Sequence, residues 1–187
     1  MRFGPKKRYG DFLLMVGCFE KDKDQKTVIK AIKVLWEKYH MTSNMIFVGA
    51  GSTLDECILF AVEMEVDNQI VFMGARSDVN NYYAATKLFI HSSPAEGLPT
   101  VLLEAMKFSL PIVATNSPPG VEGILQSGKY GVQCSIGNAE EMAQKVSEML
   151  TDNCLYEEYS SKSLERLQAF QYETIREVIR HKLETLR

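Results

Sequence analysis

No apolar stretch in this chain approaches the length of about 20 residues that a bilayer-spanning helix needs. The nearest thing to a leader is FLLMVGC, where Arg2, Lys6, Lys7 and Arg8 precede an apolar run ending in Gly17-Cys18, as a lipoprotein cleavage site would. The run Phe12–Gly17 covers only six residues, and Asp11 stands directly before it. A signal segment needs about 7–15 apolar residues without an acid at its base. A buried strand is the better reading, and a cytoplasmic protein is expected. Cysteine is sparse: Cys18, Cys57, Cys134 and Cys154 lie far apart with no C-x-x-C pair. Free thiols in a reducing compartment are therefore expected, rather than disulfides or a zinc site. The three histidines are equally scattered. A net charge of −3 removes any general reason to bind nucleic acid or an anionic membrane. G-x-G-x-x-G and Walker sequences are both missing. The first two strand ends read VGCFEKD and VGAGS, which argues against NAD binding.

What is present is ordinary globular material. The chain has 187 residues, 45% hydrophobic and 24% charged, enough for one ample domain or two cramped ones. Short apolar runs alternate with amphipathic segments. The candidate strands are Phe12–Val16, Met45–Val48, Ile70–Phe72, Leu88–His91, Ile112–Ala114 and Gly131–Gln133. Between them lie candidate helices at Gln25–Tyr39, Thr53–Glu65, Val79–Thr86 and Pro99–Phe108. Such alternation implies βαβ crossovers and a parallel sheet. Runs such as MIFVG and QIVFMG are apolar on both faces, as they are when helices cover both sides. The predicted fold class is α/β, a doubly wound, Rossmann-like parallel sheet of about six strands over residues 11–150. Residues 151–187 show no strand pattern and read as two C-terminal helices, Leu155–Gln168 and Glu173–Arg187. Residues 1–10, MRFGPKKRYG, have turn residues and charge without a period and read as a linker from an absent N-terminal half.

In open parallel sheets, ligands bind beyond the carboxyl ends of the strands. Glycines stand at those places: Gly17, Gly49 and Gly51, Gly74 and Gly97. Because glycine permits close backbone approach, this edge is expected to hold a ligand. Residues 92–115, SSPAEGLPTVLLEAMKFSLPIVAT, place Glu96 and Glu104 eight apart across a Gly-Leu-Pro-Thr turn. Leu98-Pro99-Thr100 is a good helix opening. Apolar residues then cover most of the helix, leaving Thr100, Glu104 and Lys107 on one narrow polar stripe. On one reading the stripe faces water and Glu104 pairs with Lys107, a contact worth about 0.2–0.5 kcal/mol. On the other, free amides from Gly97 to Val101 and the helix dipole make an anion site, the dipole contributing roughly 0.3–2 kcal/mol. An ionised carboxylate accepts two hydrogen bonds side by side, which suits a vicinal diol. A diphosphate flanked by a ribose and a hexose would use both glutamates, and that describes a nucleotide sugar.

Taken with the LPIVAT and SPPGVEGIL that follow it, SSPAEGLPTVLLEAM resembles the E-x7-E signature of the retaining glycosyltransferases of family 4, the group 1 glycosyltransferases. The resemblance runs in order over about residues 10–150 and takes in MVGCFEKDKDQKTVIKAI, VGAGS and MGARSDVNNYYAATKLFIHSS. It implies the C-terminal, donor-binding half of a GT-B architecture, in which two Rossmann-like halves face a common cleft. The last two helices resemble the tail that crosses back to the other half. Carried over by position, the resemblance puts Glu96 beside the donor hexose and the reacting centre, and makes Glu104 the ribose ligand. The backbone of Gly97, Leu98, Pro99 and Thr100 would face the distal phosphate. Ala75 and Arg76 would lie against the base, largely through backbone. Lys23 would sit on the diphosphate, with Gly17 and Cys18 bordering the same site. Glu122 matches a glutamate of the family's later glycine-rich stretch, without a clear role.

One position departs from the pattern. The family usually has an arginine five residues before that lysine, and here it is Cys18. A neutral thiol cannot offset charge on a departing nucleoside diphosphate. Either Lys23 and the helix N-terminus suffice, or Lys21 turns in, or donor affinity is weak. The implied reaction is retaining transfer of a hexosyl unit, from a donor expected to be UDP-linked, to an acceptor hydroxyl in surface-polysaccharide or glycolipid synthesis. A glycan or lipid-linked acceptor would be held by the absent half. That half would also supply any peripheral contact with the inner face of the cell membrane. No cofactor is expected beyond the donor. No metal is expected either, since no Asp-x-Asp pair ends a strand and Asp22-Lys23-Asp24 reads as a solvated loop. The rival readings are a nucleotide-sugar epimerase or phosphorylase of the same architecture, and a non-catalytic nucleotide-binding module.

Overall fold

The computed structural model describes residues 12–185. The linker expected at 1–10 lies outside them, as do the last two residues of the second predicted C-terminal helix. Six strands, β1 (Phe12–Val16), β2 (Asn44–Val48), β3 (Ile70–Phe72), β4 (Leu88–His91), β5 (Ile112–Thr115) and β6 (Val132–Cys134), form one sheet. All neighbours are parallel, in the order β3-β2-β1-β4-β5-β6. This is the Rossmann-like order, and the winding reverses between β1 and β4. At the centre, Leu14 pairs with Ile46 on one side and Phe89 on the other.

Alternation along the strands explains the two-sided apolar pattern. Leu13 and Met15 point to one face, against α1 (Gln25–Tyr39), α2 (Leu54–Glu63) and α6 (Ala139–Thr151). Leu14 and Val16 point to the other, against α3 (Val79–Ala85), α4 (Thr100–Lys107) and α5 (Gly120–Leu125). Each fully buried Leu, Ile or Phe removed from water contributes roughly 1.5–3 kcal/mol before the entropy of ordering it. Helix α1 begins where the Asp24 side chain accepts the Thr27 amide at 3.2 Å, and it ends at His40 in the left-handed region.

The sequence pattern missed α6, although its signal was present. Met142, Val146 and Met149 recur at helical spacing and are fully buried, and Asn138 caps the first turn by accepting the Glu141 amide. Helix α5 has six residues, too few to show a period. Helix α7 (Asn153–Gln168) starts two residues earlier than the pattern predicts, because Asp152 accepts the Leu155 amide at 3.0 Å. It crosses the amino ends of the strands and is stitched to the loops there. Tyr156 donates to the Lys87 carbonyl at 2.7 Å, and Ser163, fully buried, donates to the Leu110 carbonyl at 2.7 Å. Helix α8 (Tyr172–Thr185) follows, and its Tyr172, Ile175, Val178 and Ile179 are exposed.

Candidate active site

The carboxyl ends of β1 and β4 diverge at the switch point, and a cleft of about 240 Å³ opens there. Its walls include Gly17, Cys18, Lys23, Gln25, His91, Glu96 and the Leu98–Val101 turn. The β1–α1 loop reaches it along a defined path. The Gly17 amide extends the β1–β2 ladder by donating to the Val48 carbonyl at 3.0 Å, and Phe19 packs edge-on to Phe47. The buried Gln25 side chain then ties the loop down by donating to the Cys18 carbonyl at 2.8 Å.

Lys23 Nζ donates to Glu96 Oε1 at 2.6 Å, with the two side chains 18% and 12% exposed. The run Asp22-Lys23-Asp24 is therefore not the solvated loop its composition suggests. Lys23 folds into the cleft, and Asp24 caps α1 while accepting from Ser92 Oγ at 3.0 Å. His91, only 3% exposed, brings Nε2 to 3.4 Å from the same Glu96 oxygen. Its alignment is too poor for a formed hydrogen bond, and neither ring nitrogen has a partner. Together these neighbours hold the Glu96 carboxyl at a pKa of about 2. Proximity to His91 contributes most and Lys23 adds to it, against the opposing effect of burial. Burial penalises the Lys23 ammonium, but Glu96 more than offsets that and raises its pKa. Near neutral pH the pair is ionised.

The Glu96 turn is braced from beneath. The Ser93 amide donates to Thr115 Oγ1 at 3.0 Å, and Ser117 Oγ donates to the Ser93 carbonyl. The Gly120 amide donates to the Glu96 carbonyl at 2.8 Å. A Cβ on Gly120 would stand 2.6 Å from both the Glu96 and Gly97 carbonyl oxygens, so only glycine lets α5 approach this turn. Pro99 occupies the cap position of α4 and no side chain caps the helix. The first-turn amides at Thr100 and Val101, on the cleft wall, are thus free of side-chain competition.

Not every predicted residue lines the cleft. Glu104 lies one turn below Thr100 on the same face of α4 and takes a hydrogen bond from Tyr83 at 3.1 Å, rather than pairing with Lys107. Ala75 and Arg76 are exposed on the β3–α3 loop at the same sheet edge, where Arg76 is held by Asp78 at 3.0 Å. Gly97 is exposed beside Glu96. Lys21 does not turn in. It lines a second hollow of about 340 Å³ with Glu20, Lys26 and Glu56, of which Glu20 accepts from Ser52 and Lys26 is paired with Glu56. Lys23 also borders that hollow. Glu122 is committed elsewhere, accepting from the Ser127 amide and hydroxyl and from Gln133, so it fastens the turn after α5.

The glycines divide into two kinds. A Cβ at Gly49 would lie 1.9 Å from the Gly17 carbonyl oxygen, and one at Gly51 would lie 2.2 Å from that of Phe19. These two glycines serve the close passage of the β1–α1 loop over β2 rather than the approach of a ligand. Gly17, Gly74 and Gly97 face open space. His91 and Tyr83 escaped sequence reasoning. A lone polar residue closing the buried strand LFIH was a visible signal for His91, whereas nothing marks Tyr83 off from Tyr82 in NNYYAA. Among the described residues, no group of three or more His, Cys, Asp or Glu side chains is arranged to hold a metal ion.

Comparison with known proteins identifies the family and the fold. The sequence model for "Glycosyl transferases group 1" matches residues 2–166. An uncharacterized glycosyltransferase of Haemophilus influenzae is 32% identical over 81% of this chain and 42% of its own length. The Campylobacter jejuni N-acetylgalactosamine-N,N'-diacetylbacillosaminyl-diphospho-undecaprenol 4-alpha-N-acetylgalactosaminyltransferase is 25% identical over 85% of this chain and 42% of its own length. This chain thus spans less than half the length of either relative. Among solved structures, S. aureus TarM, in complex with Fondaparinux, alpha-GlcNAc-glycerol and UDP, superposes with a TM-score of 0.84 at 20% identity. That match covers 100% of this chain and 37% of TarM. Anabaena HepE, in complex with UDP and glucose, gives 0.82 at 22% identity, over 95% of this chain and 49% of its own. At these identities the structures establish the fold alone. The family follows from the sequence match, which spans most of the chain: it belongs to the group 1 glycosyl transferases, as their C-terminal domain.

Proposed function

We propose that this chain is the donor-binding half of a retaining, family 4 glycosyltransferase that moves a hexosyl unit from a nucleotide diphosphate sugar to an acceptor hydroxyl. The observation that carries this reading is the Lys23–Glu96 pair, set beneath an uncapped helix N-terminus at the switch point. Departure of a nucleoside diphosphate builds negative charge that must be met by fixed donors. An ammonium has three protons, so Lys23 can keep Glu96 and also donate to a phosphate oxygen. The Thr100 and Val101 amides face the same charge. Glu96, held ionised, accepts from sugar hydroxyls beside the reacting carbon, and Glu104 accepts from the ribose. Ala75 and Arg76 border the base. Cys18 leaves the diphosphate with one side-chain cation here, and the helix N-terminus makes up part of the difference.

UDP in the TarM and HepE complexes favours a UDP-linked donor. Relatives named for lipopolysaccharide core and undecaprenol-linked glycan synthesis favour a glycan or lipid-linked acceptor. The acceptor side would come from the part of those relatives that this chain does not match. The 187 residues alone are therefore expected to bind nucleotide and to transfer little or no sugar. Among the described residues, no helix is long and apolar enough to cross a membrane. Calorimetric titration with UDP, GDP and ADP tests the donor role. One nucleotide should bind, and Glu104→Ala should weaken it by about 1–3 kcal/mol, as loss of charged hydrogen bonds does. Absence of binding at millimolar concentration of all three would remove the donor reading. Retention is tested by the anomeric configuration of the product made by the full-length enzyme.

A further inference from the structure

We propose that Tyr83 is a positioning residue for the nucleotide ribose, acting through Glu104. The inference rests on the ribose role given to Glu104 above. Tyr83 is fully buried, its ring stacked on Phe108 at 5.6 Å and 12° and tilted against Phe89 at 5.5 Å. Phenylalanine would fill that space equally well, so packing does not explain the hydroxyl, and a buried hydroxyl requires a partner. Its partner is Oε2 of Glu104 at 3.1 Å, with the Val101 carbonyl a more distant 3.4 Å away.

The geometry fixes the carboxylate by something rigid. A surface lysine would hold Glu104 through a flexible stem, whereas the Tyr83 oxygen is located by two ring contacts. With Oε2 anchored, Oε1 is left to accept ligand hydroxyls, and Glu104 lies one helical turn from Thr100, which is itself on the cleft wall. Burial and the Glu104 charge both push ionisation of the phenol upward, so Tyr83 stays a donor across the working pH range. Tyr83 belongs to α3, which follows the loop carrying Ala75 and Arg76. The contact therefore links the element expected at the base to the one expected at the phosphates. A nucleoside bridging those elements places its ribose between them.

The test uses this chain with UDP and with 2',3'-dideoxy-UDP, guanine or adenine analogues replacing them if those bases bind instead. Wild-type protein should prefer the intact ribose by about tenfold or more. Tyr83→Phe should cut that preference to about threefold or less, with binding of the dideoxy nucleotide unchanged and Tm within a few degrees. A Y83F protein that keeps the full preference overturns the inference and leaves the ribose reading intact. A wild-type protein blind to the missing hydroxyls overturns both. A crystal structure of Y83F without nucleotide gives an independent reading. Movement of the Glu104 carboxylate from its wild-type position supports the proposal, and an unmoved, well-ordered carboxylate overturns it.

Discussion

Replacing Glu96 with glutamine keeps the shape of the side chain and removes its charge, so it isolates what the Lys23 and His91 neighbours do. The carboxyl moves from an ordinary 4.5 to about 2 in the folded protein. At about 1.4 kcal/mol per pH unit, that gap favours the folded carboxylate by on the order of 3 kcal/mol. Because 12% of the side chain is in contact with water and the His91 contact that contributes most is long and poorly aligned, the usable part falls to about 2 kcal/mol. The sign follows from linkage. A depressed folded pKa contributes stability that is fully present above the unfolded value and is lost as pH falls toward the folded one. Glu96→Gln should therefore be less stable than wild type by about 2 kcal/mol at pH 7, or about 4–8 °C in Tm for a domain of this size. Urea melts of both proteins from pH 7 down to about pH 3 should show the gap shrinking by more than half between about pH 5 and pH 3. Other carboxylates titrate alike in both proteins and cancel from the difference. A gap that stays constant over this range would refute the reasoning, because Glu96 would then be no more acidic in the folded state than in the unfolded one.

Three further outcomes follow from the same geometry. His91→Leu removes the imidazole 3.4 Å from the Glu96 carboxylate while keeping the strand end filled, so the window over which the Glu96-dependent gap closes should move to higher pH; melts of H91L against H91L/E96Q check it, and an unmoved window counts against His91. Cys18→Arg should tighten nucleoside diphosphate binding by about three- to tenfold at low salt, with most of the gain lost in about 0.5 M salt; calorimetry with UDP and uridine separates the phosphate gain from any change at the base. Gly49→Ala must accommodate a methyl group 1.9 Å from the Gly17 carbonyl oxygen and should cost more than about 3 kcal/mol, whereas a Tm within a few degrees of wild type would mean that the loop passes less closely than described.

The sheet was legible because its strands are buried on both faces and so read as unbroken apolar runs, a pattern that local sequence carries without help from tertiary contacts. Helix α6 carries equally local signals in its Asn138 cap and its Met142, Val146 and Met149 stripe, although the helices expected from the sequence do not include it. The site divides along the same line. Glu96, Glu104 and the turn between them occupy one short stretch, so a signature can mark them. Lys23 lies 73 residues from Glu96, and composition alone makes it one more charge among EKDKD. Only the β3-β2-β1-β4-β5-β6 order, which sets β1 beside β4, turns it inward. His91 and Tyr83 are harder still, because their meaning lies in which atom each presents to which carboxylate. Gly49 shows how a correct pattern can carry the wrong cause. Glycine is demanded at that strand end, but by the neighbouring backbone rather than by a ligand. Local pattern thus identified the two carboxylates, while the groups that set their charge and orientation came from β1, β4 and α3 and could be assigned only once the sheet order was known.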